Sequence, residues 1–233
     1  MPAFDRARFH AFILEHAVIG FHEQPLTLKS GRLSHFYVNW RTVTNDAFLL
    51  DRLTDFIVAY LQDSGLPCRT LYGVPEGATK TAVVAGLKWA RTAPDFALGS
   101  HTVAMGRAKP KAHGSPADRD FIGMPQGPTV VLEDTTTTGG SVLTTLTTLH
   151  AAGVEVVGVI TLTDRQERRD DGASVGEAIA RVTNGKVAYR AMTDALTLLP
   201  AAARQKGISP QVRAGLEAEF RANGVGALEW GTQ

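Results

Sequence analysis

Cysteine is almost missing from this chain of 233 residues, where Cys68 stands alone. That excludes an intrachain disulfide framework and any cysteine-based zinc cluster, and it suits a reducing compartment. The seven histidines show no HExxH or comparable ligand spacing. No apolar run reaches membrane-spanning length. The opening MPAFDRARFHAFILEHAVIG is amphipathic and carries acids, without the apolar h-region and cleavage site of a signal peptide. An excess of one charge is lacking too: 24 Lys+Arg against 23 Asp+Glu leave a net charge of +1, so no global field favours nucleic acid or a membrane. A dinucleotide-binding oxidoreductase would need GxGxxG and a P-loop NTPase GxxxxGK[ST]; neither is present. What is left is a soluble cytoplasmic protein, 44% hydrophobic and 20% charged, long enough for one domain with a sizeable core.

Periodicity predicts helices over 5–19, 46–61, 78–91 and 210–222, and strand material at Phe36-Tyr37-Val38, 70–74, 98–105, 128–132, 154–163 and 187–191. Strands alternating with helices at this spacing indicate βαβ units and a mainly parallel sheet. Between 106 and 126 runs a loop rich in Lys, Arg, Gly, Pro and Asp, too long to be an idle connection. No repeat, low-complexity segment or clear linker interrupts the chain.

The densest stretch is Val130-Val131-Leu132-Glu133-Asp134-Thr135-Thr136-Thr137-Thr138-Gly139-Gly140-Ser141. A β-branched strand, covered on both faces, leads into two acids, a hydroxyl- and glycine-rich loop and a helix. Thr137, Thr138, Gly139, Gly140 and Ser141 can aim backbone N–H groups and hydroxyls at one point beside a helix N-terminus, a place for a phosphate. Glu133 and Asp134 repel phosphate but accept hydrogen bonds from vicinal sugar hydroxyls. Phosphate on one side and a diol on the other suit a ribose 5-phosphate. A Thr/Gly turn alone would more often be an ordinary βα connection; two consecutive acids ahead of it are rarer, since like charges side by side need a partner.

In an open α/β sheet the ligand lies at the carboxyl ends of the strands, where three further features should converge. Gly73-Val74-Pro75-Glu76-Gly77 is a glycine-bounded turn whose amides could hold a diphosphate, and a ligand-free turn is equally compatible with it. Asp164-Arg165-Gln166-Glu167 ends a core strand with an Arg suited to a carboxylate. Arg107-Ala108-Lys109-Pro110-Lys111-Ala112-His113-Gly114 concentrates three cations and a histidine in the long loop, where a lid would sit.

Three of these segments and a fourth nearer the N-terminus resemble motifs of the orotate phosphoribosyltransferases, a type I phosphoribosyltransferase family, and they occur in the family's order. Thr27-Leu28-Lys29-Ser30-Gly31-Arg32-Leu33-Ser34-His35-Phe36-Tyr37 is similar to the orotate-site motif, and 106–114 to the mobile catalytic loop. Residues 133–141 resemble the loop for phosphoribosyl diphosphate (PRPP), and 164–167 the closing signature. The resemblance covers roughly 25–169. It implies an α/β fold with a mainly parallel sheet flanked by helices. Residues 1–45 would contribute to a small hood and 46–169 form the core; 170–233 would be an extension that either caps the sheet or joins the hood, all within a single domain.

The implied reaction is transfer of ribose 5-phosphate from PRPP to orotate, with Mg²⁺ held mainly by PRPP and water. Carried over, Lys29 and Lys109 would bind PRPP, with Lys29 on the diphosphate. Phe36 and Tyr37 would lie near the pyrimidine ring. Arg107, Lys111 and His113 would reach the diphosphate in the neighbouring subunit of a homodimer, with Lys111 the main catalytic residue. Glu133 and Asp134 would hold the ribose hydroxyls, Asp134 as part of the catalytic set; 137–141 would cradle the 5-phosphate, and Arg165 would bind the orotate carboxylate.

The chain departs from the family pattern at Ala108 (commonly a second cation), at Glu76 (commonly Lys, with Lys80 the nearest compensation) and at His35 (commonly Pro). Two rivals follow. One is a phosphoribosyltransferase for another base, disfavoured by Arg165 because uracil and purines offer no carboxylate. The other is a PRPP-sensing regulator without activity, disfavoured by the balanced charge and the intact Lys111 lid.

Overall fold

A computed structural model describes residues 3–107, 109 and 111–231. The chain opens with α1 (Arg6–Glu15), the antiparallel hairpin β1 (Ile19–Thr27) and β2 (Leu33–Val38), then α2 (Arg41–Thr44) and α3 (Ala47–Ser64). It continues through β3 (Thr70–Gly73), α4 (Thr79–Thr92), β4 (Met105–Gly106), α5 (Pro116–Asp120) and β5 (Phe121–Ile122). The second half holds β6 (Thr129–Thr136), α6 (Gly140–Ala151), β7 (Val156–Asp164), α7 (Val175–Thr183), β8 (Ala188–Asp194), α8 (Ala195–Lys206) and α9 (Pro210–Asn223).

The main sheet has the order β5-β4-β3-β6-β7-β8, parallel throughout except for β5. Its inner strands are buried on both faces, so they read as unbroken β-branched runs rather than alternations. Val130, Leu132, Ile160 and Leu162 face one apolar cluster that takes in α3, α4, α8 and the hood. Val131 and Val159 face a second, with α6 and α7. From β3 the chain moves outward to β4 and then returns to lay β6 on the other side of β3. The strand order reverses there, and at such a switch point the diverging loops leave a crevice.

Local chemistry fixes the element ends. Asp46 caps α3 by accepting from the Leu49 N–H, and Gly65 ends that helix at φ 65°. Ser174 and Glu177 close a reciprocal capping box on α7. The N-terminus of α6 has no side-chain cap; its N-cap is Gly139 at φ 71°.

The structure corrects several expectations. The strand expected at 98–105 shrinks to Met105–Gly106, because Gly99 turns the chain at φ 81° and Leu98 is fully exposed. The segment 106–126 is not all loop: β5 returns antiparallel to β4, pairing Met105 with Ile122. The helix expected over 5–19 ends at Glu15, and Ile19 opens the hairpin strand β1. It carries polar residues and Pro25, and a two-stranded hairpin, all edge, accepts that proline. Helices α7 and α8 lay unassigned in the tail. In the C-terminal segment α8 packs on β8 of the main sheet and α9 on β1 and β2, with Phe220 stacked 6.1 Å from Phe36.

Ile160 is fully buried on the inner strand β7. Ile160→Ala should cost about 3 kcal/mol of stability, seen as a lower urea midpoint at unchanged m-value.

Candidate active site

The crevice between β3 and β6 opens into a cleft of about 950 Å³. Its wall is built largely by β6 and the turn after it. β6 runs through Glu133 and Asp134 to Thr136, so the two acids belong to the strand rather than following it. Glu133 is buried and Asp134 partly so. The register Gly73↔Leu132 brings the turn after β3 alongside them. A Cβ on Gly77 would stand 2.5 Å from the Asp134 carboxylate, so only glycine lets this backbone approach so closely.

Glu133 Oε1 accepts from the Asp134 N–H at 3.1 Å, and Asp134 Oδ1 from the Thr135 N–H at 2.7 Å. Burial, then the neighbouring Asp134 charge, pushes the Glu133 carboxyl up to about 9. The hydroxyl of Thr135, also on the cleft wall, is buried with no partner among the described residues. Buried polar groups normally find partners, so these groups are built for a hydroxyl-bearing ligand or a cation. The cradle of 137–141 lines the cleft beside them, at the uncapped N-terminus of α6.

At the other end sits Arg165, whose side chain is 2% exposed. Nε donates to Glu167 at 2.7 Å, Nη1 to the Phe36 carbonyl at 3.3 Å, and Nη2 to Ser34 Oγ at 2.9 Å and Glu219 at 3.0 Å. These contacts occupy four of its five N–H donors. The guanidinium also lies 3.7 Å over the Phe36 ring. Glu167 is shared with Arg32 of the hairpin at 3.1 Å, and burial raises the Glu219 carboxyl.

No protein-family model matches the chain. An orotate phosphoribosyltransferase of Bradyrhizobium diazoefficiens is 33% identical over 173 residues, 71% of this chain and 86% of that protein. One from Bordetella petrii is 32% identical over 212 residues, covering 85% and 89%. The chain belongs to the orotate phosphoribosyltransferase family. The crystal structure of the Francisella tularensis orotate phosphoribosyltransferase shares the fold, with a TM-score of 0.67 over 93% of this chain and 99% of that one at 20% identity. The type I phosphoribosyltransferase architecture expected from the motifs is the one observed.

Among the residues carried over from the family, Lys29, Tyr37, Arg107, Glu133, Asp134, Arg165 and the 137–141 cradle line one cleft. Lys29 Nζ donates to Ser141 Oγ at 3.3 Å, which puts it at the phosphate cradle. Phe36 is fully buried and lies beneath Arg165, off the cleft wall. Arg107 is braced by its Nε on the Asp118 carbonyl at 3.0 Å. Lys109, Lys111 and His113 are exposed and do not line this chain's own cleft. Ala108 lies outside the described residues. Lys80 donates to Asn45 at 2.9 Å and is also off the cleft, so it does not stand in beside Glu76.

Sequence reasoning missed Arg41 and Tyr72, both on the wall, and Glu219 behind Arg165. Arg41 opens a four-residue helix and Glu219 lies 54 residues past Arg165, so no local pattern announced either. Tyr72 sits in a fully buried strand and read as core.

The raised Glu133 carboxyl has a stability signature. Its ordinary value is 4.5 and its value in the fold about 9, so the fold favours the protonated form. Its contribution is complete below 4.5 and is lost as pH rises towards 9. Glu133→Gln cannot ionise and should melt higher than the parent, by roughly 3 °C or more at pH 9 and by little at pH 5. Thermal melts across that range check it; a variant melting lower at pH 9 would contradict the burial argument.

Proposed function

We propose that this protein transfers ribose 5-phosphate from PRPP to N1 of orotate, yielding orotidine 5-monophosphate and diphosphate, a step of de novo pyrimidine synthesis in the cytoplasm. The observation that carries the reading is the meeting, in one cleft, of the Glu133–Asp134 pair with the uncapped cradle of 137–141. In this reading the cradle amides bind the 5-phosphate, Lys29 contacts the diphosphate, and the two carboxylates accept from the ribose hydroxyls.

As the bond from C1 to the diphosphate oxygen breaks and the bond to N1 forms, positive charge grows on the sugar and negative charge on the leaving group. Catalysis is then chiefly positioning and charge stabilisation. Orotate binds as the anion, so no strong base is required. Arg165 offers its remaining Nη1 hydrogen to the orotate carboxylate, and Tyr37 lies along the ring.

The carboxylate oxygens beside the diol site are a hard, oxygen-only donor set, which fits Mg²⁺ drawing most of its shell from PRPP and water. No cluster of three or more His, Cys, Asp or Glu among the described residues forms a protein cage for it. When bound, the ion would neutralise diphosphate charge, while Glu133 and Asp134 would hold the ribose hydroxyls beside it.

Lys109, Lys111 and His113, exposed on a loop away from their own cleft, support a homodimer in which Lys109 to His113 serve the neighbouring active site, whereas Arg107, expected to cross with them, lies on the wall of its own cleft. There Lys111 and His113 would hold, and protonate, the departing diphosphate. A second reading, transfer to a base without a carboxylate, draws on the pairing of Arg165 with Glu167 and Glu219.

Mixing protein, PRPP and Mg²⁺ with orotate, uracil or adenine and following base absorbance separates the two readings. PRPP-dependent loss of the orotate signal alone is expected. Product only from another base moves the base assignment, and silence with every base removes the catalytic reading. Lys111→Ala should lower turnover by at least ~10²-fold. Mixed subunits carrying Lys111→Ala and Asp134→Asn should regain activity that neither has alone; no recovery would put the loop on its own subunit.

A further inference from the structure

We propose that Arg169 is a positioning residue for the phosphate cradle, fixing the peptide between Thr138 and Gly139 so that the Gly139 N–H is presented to the 5-phosphate of PRPP. The inference rests on the phosphoribosyl reading of the cleft given above. Arg169 does not line the cleft. It stands behind the cradle, in a tight turn where its N–H donates to the Ala173 carbonyl at 2.8 Å and its carbonyl accepts from the Gly172 N–H at 2.9 Å.

From that braced backbone, Nη1 reaches across 31 residues of sequence and donates to the Thr138 carbonyl. The alternative partner is poorly placed. Asp171 Oδ1 is 3.7 Å from Arg169 Nε, beyond hydrogen-bond range, and that carboxylate is engaged by the Ala173 N–H at 3.1 Å and by Arg181 at 3.2 Å. Arg169 Nε is buried with no partner among the described residues. The guanidinium therefore hydrogen-bonds the loop carbonyl, while Asp171 holds it only as a longer ion pair.

The consequence follows from the planarity of the peptide. In a trans peptide the C=O and the next N–H point in opposite directions, and the bond from Thr138 to Gly139 is trans. A carbonyl drawn back onto Arg169 turns the Gly139 N–H the other way, into the cleft. From a second side Val175 locks the same residue: a Cβ on Gly139 would lie 2.8 Å from Val175 Cγ1, and its φ of 71° is a glycine conformation. With α6 uncapped, the N–H groups of this turn stay available to an anion. The cation behind the loop also adds positive potential to a cradle whose own residues are neutral.

The test is calorimetric titration of ribose 5-phosphate into the parent protein, Arg169→Ala and Arg169→Lys, with steady-state kinetics beside it. Arg169→Ala should weaken ribose 5-phosphate binding about tenfold and raise KM for PRPP by a similar factor. KM for orotate should stay within about twofold, and Arg169→Lys should recover most of the loss. Unchanged ribose 5-phosphate affinity in Arg169→Ala would overturn the role of Arg169 while leaving the cleft reading intact. So would equal rises in both KM values that Lys does not repair, since these mark a general structural defect. A parent protein that does not bind ribose 5-phosphate would overturn the cleft reading and this inference together.

Discussion

A buried guanidinium holds the hood to the sheet. Taking Arg165 out of water costs several kcal/mol, which only well-placed counter-charges and hydrogen bonds offset. Here they come from three places in the chain: Ser34 and the Phe36 carbonyl on the hairpin, Glu167 just beyond β7, and Glu219 on α9. Glu167 passes the connection on to Arg32, at the start of the hairpin's second strand. Removing any one partner leaves a charge stranded in a nearly dry interior. The position of the hairpin, and with it Lys29 and Tyr37 on the cleft wall, depends on this network more than on the hairpin's own two strands, which are too few to be stable alone.

The cleft shows a second economy of charge. The central strand must be covered on both faces, and that burial carries Glu133 with it, beside Asp134. The empty fold tolerates the pair because the Glu133 carboxyl keeps its proton well above the usual carboxylate range. Stability and ligand readiness oppose each other at this point, as they often do where a site demands polar groups in a buried place. The unpartnered hydroxyl of Thr135 belongs to the same pattern.

Much of this was legible in the sequence, and the reason is local. β6 reads as a covered strand because Val130, Val131 and Leu132 are buried on both faces. Its turn reads as a phosphate loop because Thr, Gly and Ser follow within a few residues and a helix begins. Contacts distant in sequence were not legible. Nothing in the composition of α9 says that Glu219 faces Arg165, and nothing near Phe36 says that its ring lies under a guanidinium and not in the cleft. The hairpin strand β1 was hidden by Pro25 and its polar neighbours, tolerable only because no third strand pairs with it. The strand expected at 98–105 failed for the converse reason: apolar residues such as Leu98 and Val103 are exposed on an irregular segment, and Gly99 turns the chain at its start.

The span of the hood network has a consequence for how the chain matures on the ribosome. His35 and Glu219, which meet through a backbone N–H and a carboxylate, lie 184 residues apart. At typical synthesis rates the hairpin emerges roughly 10–40 s before the helix that completes its surroundings. Through that interval Phe36 lacks Phe220, and Arg165, once made, lacks one counter-charge. The sheet can form from β3 to β8 while the hairpin stays unpartnered, so the Arg165 end of the cleft is the last part of the molecule to become whole.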